Sequence, residues 1–579
     1  MGDFNTNLLH TTLRSRKLRN IIESVGLHVL PLQATHSSTG GEDTWLDLAL
    51  TSSPTHVSSH GQCPAPCFSR HDLIHLSYRL KPPKPIPRVL RMRCFAKMDV
   101  DRLCRDAAEL EWESQVSGAS SVDDKVSVFN KLVKTLYDIH APVKSIKVKR
   151  PPAPWMSKGV RMAMRRRNRA FRKYRRDRSE DNWVLCKSAR NRCNQMIRNA
   201  KRRHILENIT SSSAADIWKF LGTLGIGKQG HVELPNTIGL DDINRHFTTT
   251  SNLDRQTIRQ TVDFIAGLPR RNTDSFSFSP VASGDIKKII LSIKSRAVGF
   301  DDIGRSMIIP ILDYILPSIT HIINFSLFSG QFPSLWRNAY VRPLPKITNP
   351  SLPSHFRPIS ILPFLSKVLE ACAHKQFSCF IARHNLLSPL QSGFRPGHST
   401  ATALLKVTGD IREGIGETKV TIMVLIDFSN AFNAVSHDIL ESILSHLMVS
   451  PGALDWFRSY LRGRQQAVRN EETLSNWCAL AAGVPQGGIL SPLLFSIFIN
   501  FITHNLQCAY HLYADDLQIY TRARPEDLSI AIDNLNKDLE AVSRWSDRFG
   551  VAVNPTKCQA IIIGSSRMMS RVVVAHLPP

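Results

Sequence analysis

The sequence contains no uninterrupted apolar run of the roughly 18 residues that would span a bilayer. Its opening, Met1-Gly2-Asp3-Phe4-Asn5, has no basic stretch leading into an apolar one. A membrane-spanning or signal-led protein is not expected, nor a membrane partner. Acids are scarce: 48 Asp and Glu face 74 Lys and Arg, for a net charge of +26. Chains this basic meet phosphate backbones or anionic membrane surfaces, and the phosphate backbone is the expectation here. Cysteines are few and odd in number, 11 scattered from Cys63 to Cys558, which excludes the dense even spacing of a secreted disulfide framework. Free thiols in a reducing compartment, nucleus or cytoplasm, follow. No internal repeat with a period of roughly 20 to 50 residues is present, and no feature sets an oligomeric state. The remaining composition, 42% apolar and 21% charged over 579 residues, excludes a disordered or fibrous chain and allows roughly three or four domains.

The positive charge is local. From Lys144 to His204, 22 Lys or Arg stand against Asp177, Glu180 and Asp181, a net of +19 that leaves +7 for the rest of the chain. Pro151, Pro152 and Pro154 open this stretch as a rigid break. Good helix formers then run on with Phe171, Tyr174 and Trp183 interleaved, which predicts basic helices. Each phosphate neutralised by such a surface releases counterions, so RNA or DNA contact is expected at Arg165, Arg166, Arg167, Arg169, Arg172, Lys173, Arg175 and Arg176. Ahead of it, strand-like alternation at residues 45–50 is followed by a Pro-rich exit at Pro82, Pro83, Pro85 and Pro87. Residues 205–290 mix helical patterns with Ser/Thr-rich loops. From about Lys294 to Ile563 the apolar segments and Gly/Pro turns read as a sizeable mixed α/β (α+β) domain.

Residues 420–428 (Val-Thr-Ile-Met-Val-Leu-Ile-Asp-Phe) predict a strand buried on both faces that ends in a carboxylate, Asp427. Residues 510–520 read as two short strands with Asp515 and Asp516 at the bend. Adjacent carboxylates repel, and a divalent cation between them and a third ligand relieves that repulsion. Three carboxylates, Asp427, Asp515 and Asp516, on neighbouring strand ends would hold two Mg²⁺ ions, with Mn²⁺ as a substitute. That is the chemistry of nucleotidyl transfer to a primer 3′-hydroxyl.

Several blocks in order resemble the reverse transcriptase of non-LTR (LINE-type), jockey-like retrotransposons. Leu344-Pro345-Lys346 and Phe356-Arg357-Pro358-Ile359-Ser360 are similar to the family's fingers segment. Residues 391–400, Gln-Ser-Gly-Phe-Arg-Pro-Gly-His-Ser-Thr, resemble a block on the template side. Asp427-Phe428-Ser429-Asn430-Ala431-Phe432 is similar to the first catalytic motif, with Phe432 at the place of the aromatic that excludes a ribose 2′-hydroxyl. Residues 483–492, Gly-Val-Pro-Gln-Gly-Gly-Ile-Leu-Ser-Pro, resemble the nucleotide and template positioning block, and Tyr513-Ala514-Asp515-Asp516 the second catalytic motif. In Asn554-Pro555-Thr556-Lys557, the resemblance places Lys557 to protonate the pyrophosphate. The resemblance implies an RNA-directed DNA polymerase with right-hand fingers and an antiparallel palm sheet. Template RNA, primer DNA and deoxynucleoside triphosphates are its partners, and Lys346, Arg357, Phe428, Phe432, Gln486 and Gly487 lie at the nucleotide. Lys346 and Arg357 would neutralise its phosphates, and Gly487 and Gly488 would let backbone approach it closely. The family usually has a second Asp near Asn433; that Asp is not a metal ligand, and the change is not taken as inactivating.

The opening Gly2-Asp3-Phe4-Asn5, with Trp45-Leu46-Asp47 and Ser69-Arg70-His71, resembles motifs of the apurinic-type endonuclease that precedes this polymerase. Asp3, Asn5, Asp47 and His71 occupy the functional positions. Arg70 stands where the family has Asp, which removes a carboxylate expected to orient the imidazole or assist the metal. The expectation is therefore a partial endonuclease β-sandwich without nuclease activity over 1–80, then a basic, mostly helical linker over 81–215. A fingers extension over 216–300 leads to fingers and palm over 301–579, with the thumb missing, as in a truncated copy. Two alternatives compete. A non-catalytic nucleic-acid-binding relic would keep only the basic region. An RNA-templated RNA polymerase is disfavoured by Ala514, where such enzymes usually carry Gly, and by Phe432. His56, His60, Cys63 and Cys67 have zinc-like spacing, but their place in a Ser/Pro-rich loop favours free side chains.

Overall fold

A computed structural model of the chain describes residues 1–38, 41–65, 69–79, 88–148, 153–210, 214–223, 234, 238–249, 253–270, 273–470 and 473–572. Cys67 and the prolines at 82, 83, 85, 87, 151 and 152 lie outside them. The chain divides into two units, Met1–Leu90 with Ser145–Ala153, and Arg91–Lys144 with Pro154–Pro579.

The first unit gathers around Leu8, Ile22, Trp45 and Leu48. Strand β1 (Gly2–Asp3) pairs antiparallel with β2 (Asp47–Leu48), setting Asp3 opposite Asp47. Strands β3 (Val57–Cys63) and β4 (Leu73–Tyr78) form a second antiparallel pair. Among the described residues of this unit alone, the strands make only two-stranded pairings, not the expected sheets of a sandwich. The candidate zinc cluster is corrected as well. His60 and Cys63 lie on β3, not in a loop, and His60 Nε2 lies 3.1 Å from the Pro31 carbonyl.

In the second unit, helices Val100–Glu109, Trp112–Ser117 and Val122–His140 belong to the main core and not to a linker. Their Leu103, Phe129 and Val133 are fully buried, and the Tyr137 hydroxyl donates to the Met307 carbonyl at 2.8 Å. The basic stretch folds as the expected helices, α1 (Lys158–Arg176) and α2 (Glu180–Thr210). Ser157 caps the first by accepting from Val160 N. The two lie antiparallel, with Tyr174 against Trp183 (ring centres 5.1 Å apart) and Lys201 over Trp155 (4.9 Å). Cys186 and Cys193 are buried between them as free thiols, and all ten described cysteines are free. Helix α3 (Leu240–Thr248) buries Ile243 and Phe247. The stretch Arg305–Ser329, containing α4 (Leu312–Ser329), is long and apolar enough to cross a membrane by length and composition, with mean hydropathy 1.5, and is half buried in the protein. The uninterrupted-run criterion misses it because Asp313, Ser318 and His321 break the run; its Ile315, Ile319 and Ile323 pack into the main core.

Two sheets carry the rest. A mixed five-stranded sheet contains β5 (Asn338–Pro345) and β6 (Phe356–Ile361), paired antiparallel, with β7 (Val420–Ile426) belonging to the other sheet. Strand β8 (Gln465–Asn470) joins β5 in parallel, Gln465 beside Asn338. The second sheet is antiparallel throughout. Strand β9 (Ala509–Tyr513) pairs with β10 (Asp516–Ala523), which pairs with β7, and β7 also takes β11 (Gln559–Ile563). β7 is therefore a central strand, as its β-branched run requires. Helix α5 (Leu528–Phe549) packs Leu535, Val542 and Trp545 into the core.

Candidate active site

The carboxylates are placed by register. Ile426 pairs with Leu517, so one step further along this antiparallel pair Asp427 faces Asp516. Tyr513 pairs with Asp516, leaving Ala514 and Asp515 as the turn, and Ala514 sits at φ +57°. A non-glycine residue in the left-handed region needs outside support. Gln391 supplies it from full burial: its Oε1 accepts from Ala514 N at 3.2 Å and its Nε2 donates to Ala514 O at 3.3 Å. Ser392 N donates to Leu512 O at 2.8 Å, and a Cβ on Gly393 would fall 2.1 Å from Ala514 N. The block expected on the template side thus clamps the carboxylate hairpin. Sequence reading marked these residues without this task; the run Gln-Ser-Gly was the available signal.

The loop after α5 closes the other side. Asn554 N donates to the Asp427 carbonyl at 2.8 Å, and Asp427 Oδ2 accepts from Lys557 Nζ at 3.0 Å and Asn554 Nδ2 at 3.2 Å. A cavity of about 680 Å³ opens here, lined by Lys346, Arg357, Asp427, Phe432, Gln486, Asp515 and Lys557 among others. Burial pushes the Asp515 carboxyl above its ordinary value, with the charges of Asp516 and Asp427 adding to the shift. Asp516 is raised by burial and by Asp427. Burial, with the positive Arg357 and Lys557, holds Lys346 below the ordinary lysine value, and its Nζ donates to Ser354 O at 2.9 Å. The Phe432 ring stacks on Phe495 with centres 4.1 Å apart.

Two expectations are corrected, those for Phe428 and Gly487, and two are refined, those for Asp516 and Lys557. Asp516 faces Asp427 but does not line the cavity, and among the described residues no three His, Cys, Asp or Glu are grouped to hold a metal ion. Lys557 is the counter-charge on which Asp427 is turned. Phe428 is a lining residue, but its ring is 5% exposed and packs on Trp545 in the core, so it does not face a nucleotide. Gly487, at φ +129°, is required by protein and not by ligand: a Cβ there would lie 2.5 Å from the Ser360 carbonyl oxygen. At Gly488 it would meet Ser491 Oγ at 2.6 Å and Glu370 Oε2 at 2.8 Å.

In the first unit, Asp3, Asp47 and His71 come together. His71 Nδ1 is 2.8 Å from Asp47 Oδ2, and this hydrogen bond raises the imidazole pKa, with the charges of Asp47 and Asp3 adding to it against desolvation. A carboxylate does orient this imidazole, contrary to expectation, and it comes from Asp47, across the unit in sequence. Asn5 joins through its backbone, N donating to Asp3 Oδ1 at 2.8 Å. On α1, Arg165, Arg166, Arg169, Arg172, Lys173, Arg175 and Arg176 are exposed and Arg167 is half-buried. Among the described residues none of the eight forms an ion pair; Arg167 instead donates to Asn168 Oδ1.

Carboxylates at the ends of an antiparallel sheet thus stand beside basic side chains on a second sheet, in a fold of mixed helix and sheet. Residues 344–570 match the family described as reverse transcriptase (RNA-dependent DNA polymerase). The chain is 30% identical over 297 residues to the probable RNA-directed DNA polymerase from transposon BS of Drosophila melanogaster, covering 48% of this chain and 32% of that protein. It is 26% identical over 294 residues to the RNA-directed DNA polymerase from mobile element jockey of the same organism, covering 49% and 32%. The match thus spans about a third of the length of these curated relatives. Among solved structures, the RNA-dependent RNA polymerase of a human picorbirnavirus overlays loosely, with TM-score 0.32 and 12% identity over 55% of this chain and 57% of that one.

Proposed function

We propose that the chain is an RNA-directed DNA polymerase of a non-LTR retrotransposon, acting inside the cell in nucleus and cytoplasm. The observation that carries this reading is that Asp427 and Asp515 line one cavity with Lys346, Arg357 and Lys557. In this reading the four-stranded sheet is the palm and the five-stranded sheet belongs to the fingers. Lys346 and Arg357 bind the triphosphate of an incoming deoxynucleotide, Arg357 through its planar fork. Phe432, braced by Phe495, crowds the sugar 2′ position. Lys557, beside Asp427, stands ready to donate a proton to the leaving pyrophosphate.

The donor set suits a hard divalent ion: the oxygens of Asp427, Asp515 and Asp516 are all carboxylate, and Asp515 and Asp516 both carry raised pKa values that positive charge would relieve. Mg²⁺ held by these three would supply charge neutralisation at the transferred phosphoryl group and acidify the primer 3′-hydroxyl. The exposed face of α1 binds template RNA or primer DNA. The Asp47–His71 pair is proposed as what the chain retains of an endonuclease centre, without nicking activity.

Primer extension on an RNA template with Mg²⁺ tests the polymerase reading. Asp427→Asn is expected to lower the rate about a thousandfold, the loss of several kcal/mol of transition-state stabilisation, and chelation to abolish it. Incorporation that neither Asp427→Asn nor chelation lowers would overturn these carboxylates as the metal site, and no incorporation at all leaves the non-catalytic nucleic-acid binder as the reading.

A further inference from the structure

Asn433 is fixed by its backbone and free to choose only through its carboxamide. Its N donates to Asn430 O at 2.9 Å, Val484 N donates to the neighbouring Phe432 O at 3.0 Å, and a Cβ on Gly483 would lie 2.9 Å from its Cα. The carboxamide then works in two directions. Its Oδ1 accepts from Gln486 Nε2 at 3.1 Å, and its Nδ2 donates to the Phe247 carbonyl at 3.4 Å.

Phe247 belongs to α3, which lies outside residues 344–570 yet is bound firmly to the five-stranded sheet. Ile243 and Phe247 are buried with Val341, Phe356 and Val468. Asn244 Nδ2 donates to Asn476 O at 2.8 Å and its Oδ1 accepts from Gln466 Nε2 at 3.0 Å, while Asp241 accepts from Asn476 N at 2.7 Å. The same helix therefore backs Phe356, next to Arg357, and reaches the loop that follows Asp427.

We propose that Asn433 is a positioning residue that joins α3 to Gln486, so that a helix outside the matched domain sets the orientation of a side chain lining the cavity. The kinetic half of this inference rests on the polymerase reading; the structural half does not. A carboxamide is both donor and acceptor, whereas a carboxylate only accepts. Asp at this position would keep the bond from Gln486 but set an oxygen against the Phe247 carbonyl. Ala would make neither bond. With one Nε2 hydrogen held by Asn433, Gln486 keeps its other N–H and its carbonyl oxygen for a ligand, in an orientation that Asn433 sets.

The test uses the full chain with Asn433→Asp and Asn433→Ala. Amide hydrogen exchange is read across residues 240–248 and elsewhere, and deoxynucleotide KM and kcat are read in primer extension on RNA. Both variants are expected to speed exchange in α3 about three- to tenfold, the worth of one hydrogen bond, while exchange elsewhere stays at the wild-type rate. Asn433→Ala is expected to raise KM about three- to tenfold, Asn433→Asp less than Ala, with kcat moving less than KM in both. A merely structural role would speed exchange throughout and lower kcat instead. Unchanged α3 exchange in Asn433→Asp overturns the proposal, as do equal KM changes in the two variants. Should the wild type extend no primer, the polymerase reading falls and α3 exchange alone decides the link.

Discussion

Burial and neighbouring carboxylates raise the pKa of Asp515 and Asp516. A carboxyl raised in this way favours the fold while protonated; the stability it adds is present below the unfolded value of 3.8 and is lost as pH climbs through the folded pKa. At neutral pH the pair therefore weakens the fold. Asp515→Asn, which carries no charge, is expected to raise the melting temperature at pH 7 by about 2 °C while primer extension falls about a thousandfold. Calorimetry should show that gain shrinking as pH is lowered toward 4. These acids were legible because a carboxylate closing an apolar strand has little structural reason to be there. Phe428 was not, since successive side chains on an extended segment point to opposite faces: Asp427 faces the cavity and its neighbour turns to Trp545. Gly487 misled for a different reason. The backbone it admits belongs to Ser360, far away in sequence.

At the scale of elements, the carboxylate hairpin owes its shape to the segment that clamps it. Gly393→Ala would drive a methyl group into Ala514 N, a clash that only movement of the turn can relieve. We expect a loss of about 1 to 3 kcal/mol in denaturant unfolding, with primer extension reduced more than folding, because the shift falls on Asp515. The central strand and the Asp hairpin were readable from their apolar runs and turn residues. The parallel pairing of β8 with β5 was not, because Gln465 and Asn338 are brought together only by tertiary folding. The strand Val57–Cys63 was hidden for the opposite reason: Ser58, Ser59, Gly61 and Gln62 are poor strand formers, and pairing with Leu73–Tyr78 overrides them.

For the whole molecule, charge is concentrated on one helical hairpin while the chemistry lies on two sheets. Replacing Arg165, Arg166 and Arg169 with Ala is expected to flatten the logarithmic salt dependence of single-stranded RNA binding by about 2, roughly 0.7 for each phosphate no longer neutralised. Titrations across a salt series measure this directly. The basic stretch was plain from composition, but the extent of the linker was not. Residues 100–140 carry core-facing apolar positions, Leu103, Phe129 and Val133, which join a core cluster made mostly of residues beyond 300.

The position of β7 has a consequence for synthesis. Both neighbours of this strand, Asp516–Ala523 and Gln559–Ile563, are translated after it. At about 5 to 20 residues per second, a ribosome takes roughly 5 to 19 s to travel from residue 426 to residue 523, where the first neighbour is complete, and roughly 7 to 27 s to reach residue 563, where the second is. A highly apolar strand thus waits with both edges open for the first interval and one edge open for the rest, so elongation speed governs its exposure to wrong partners, and slower codons downstream of residue 426 would lengthen it.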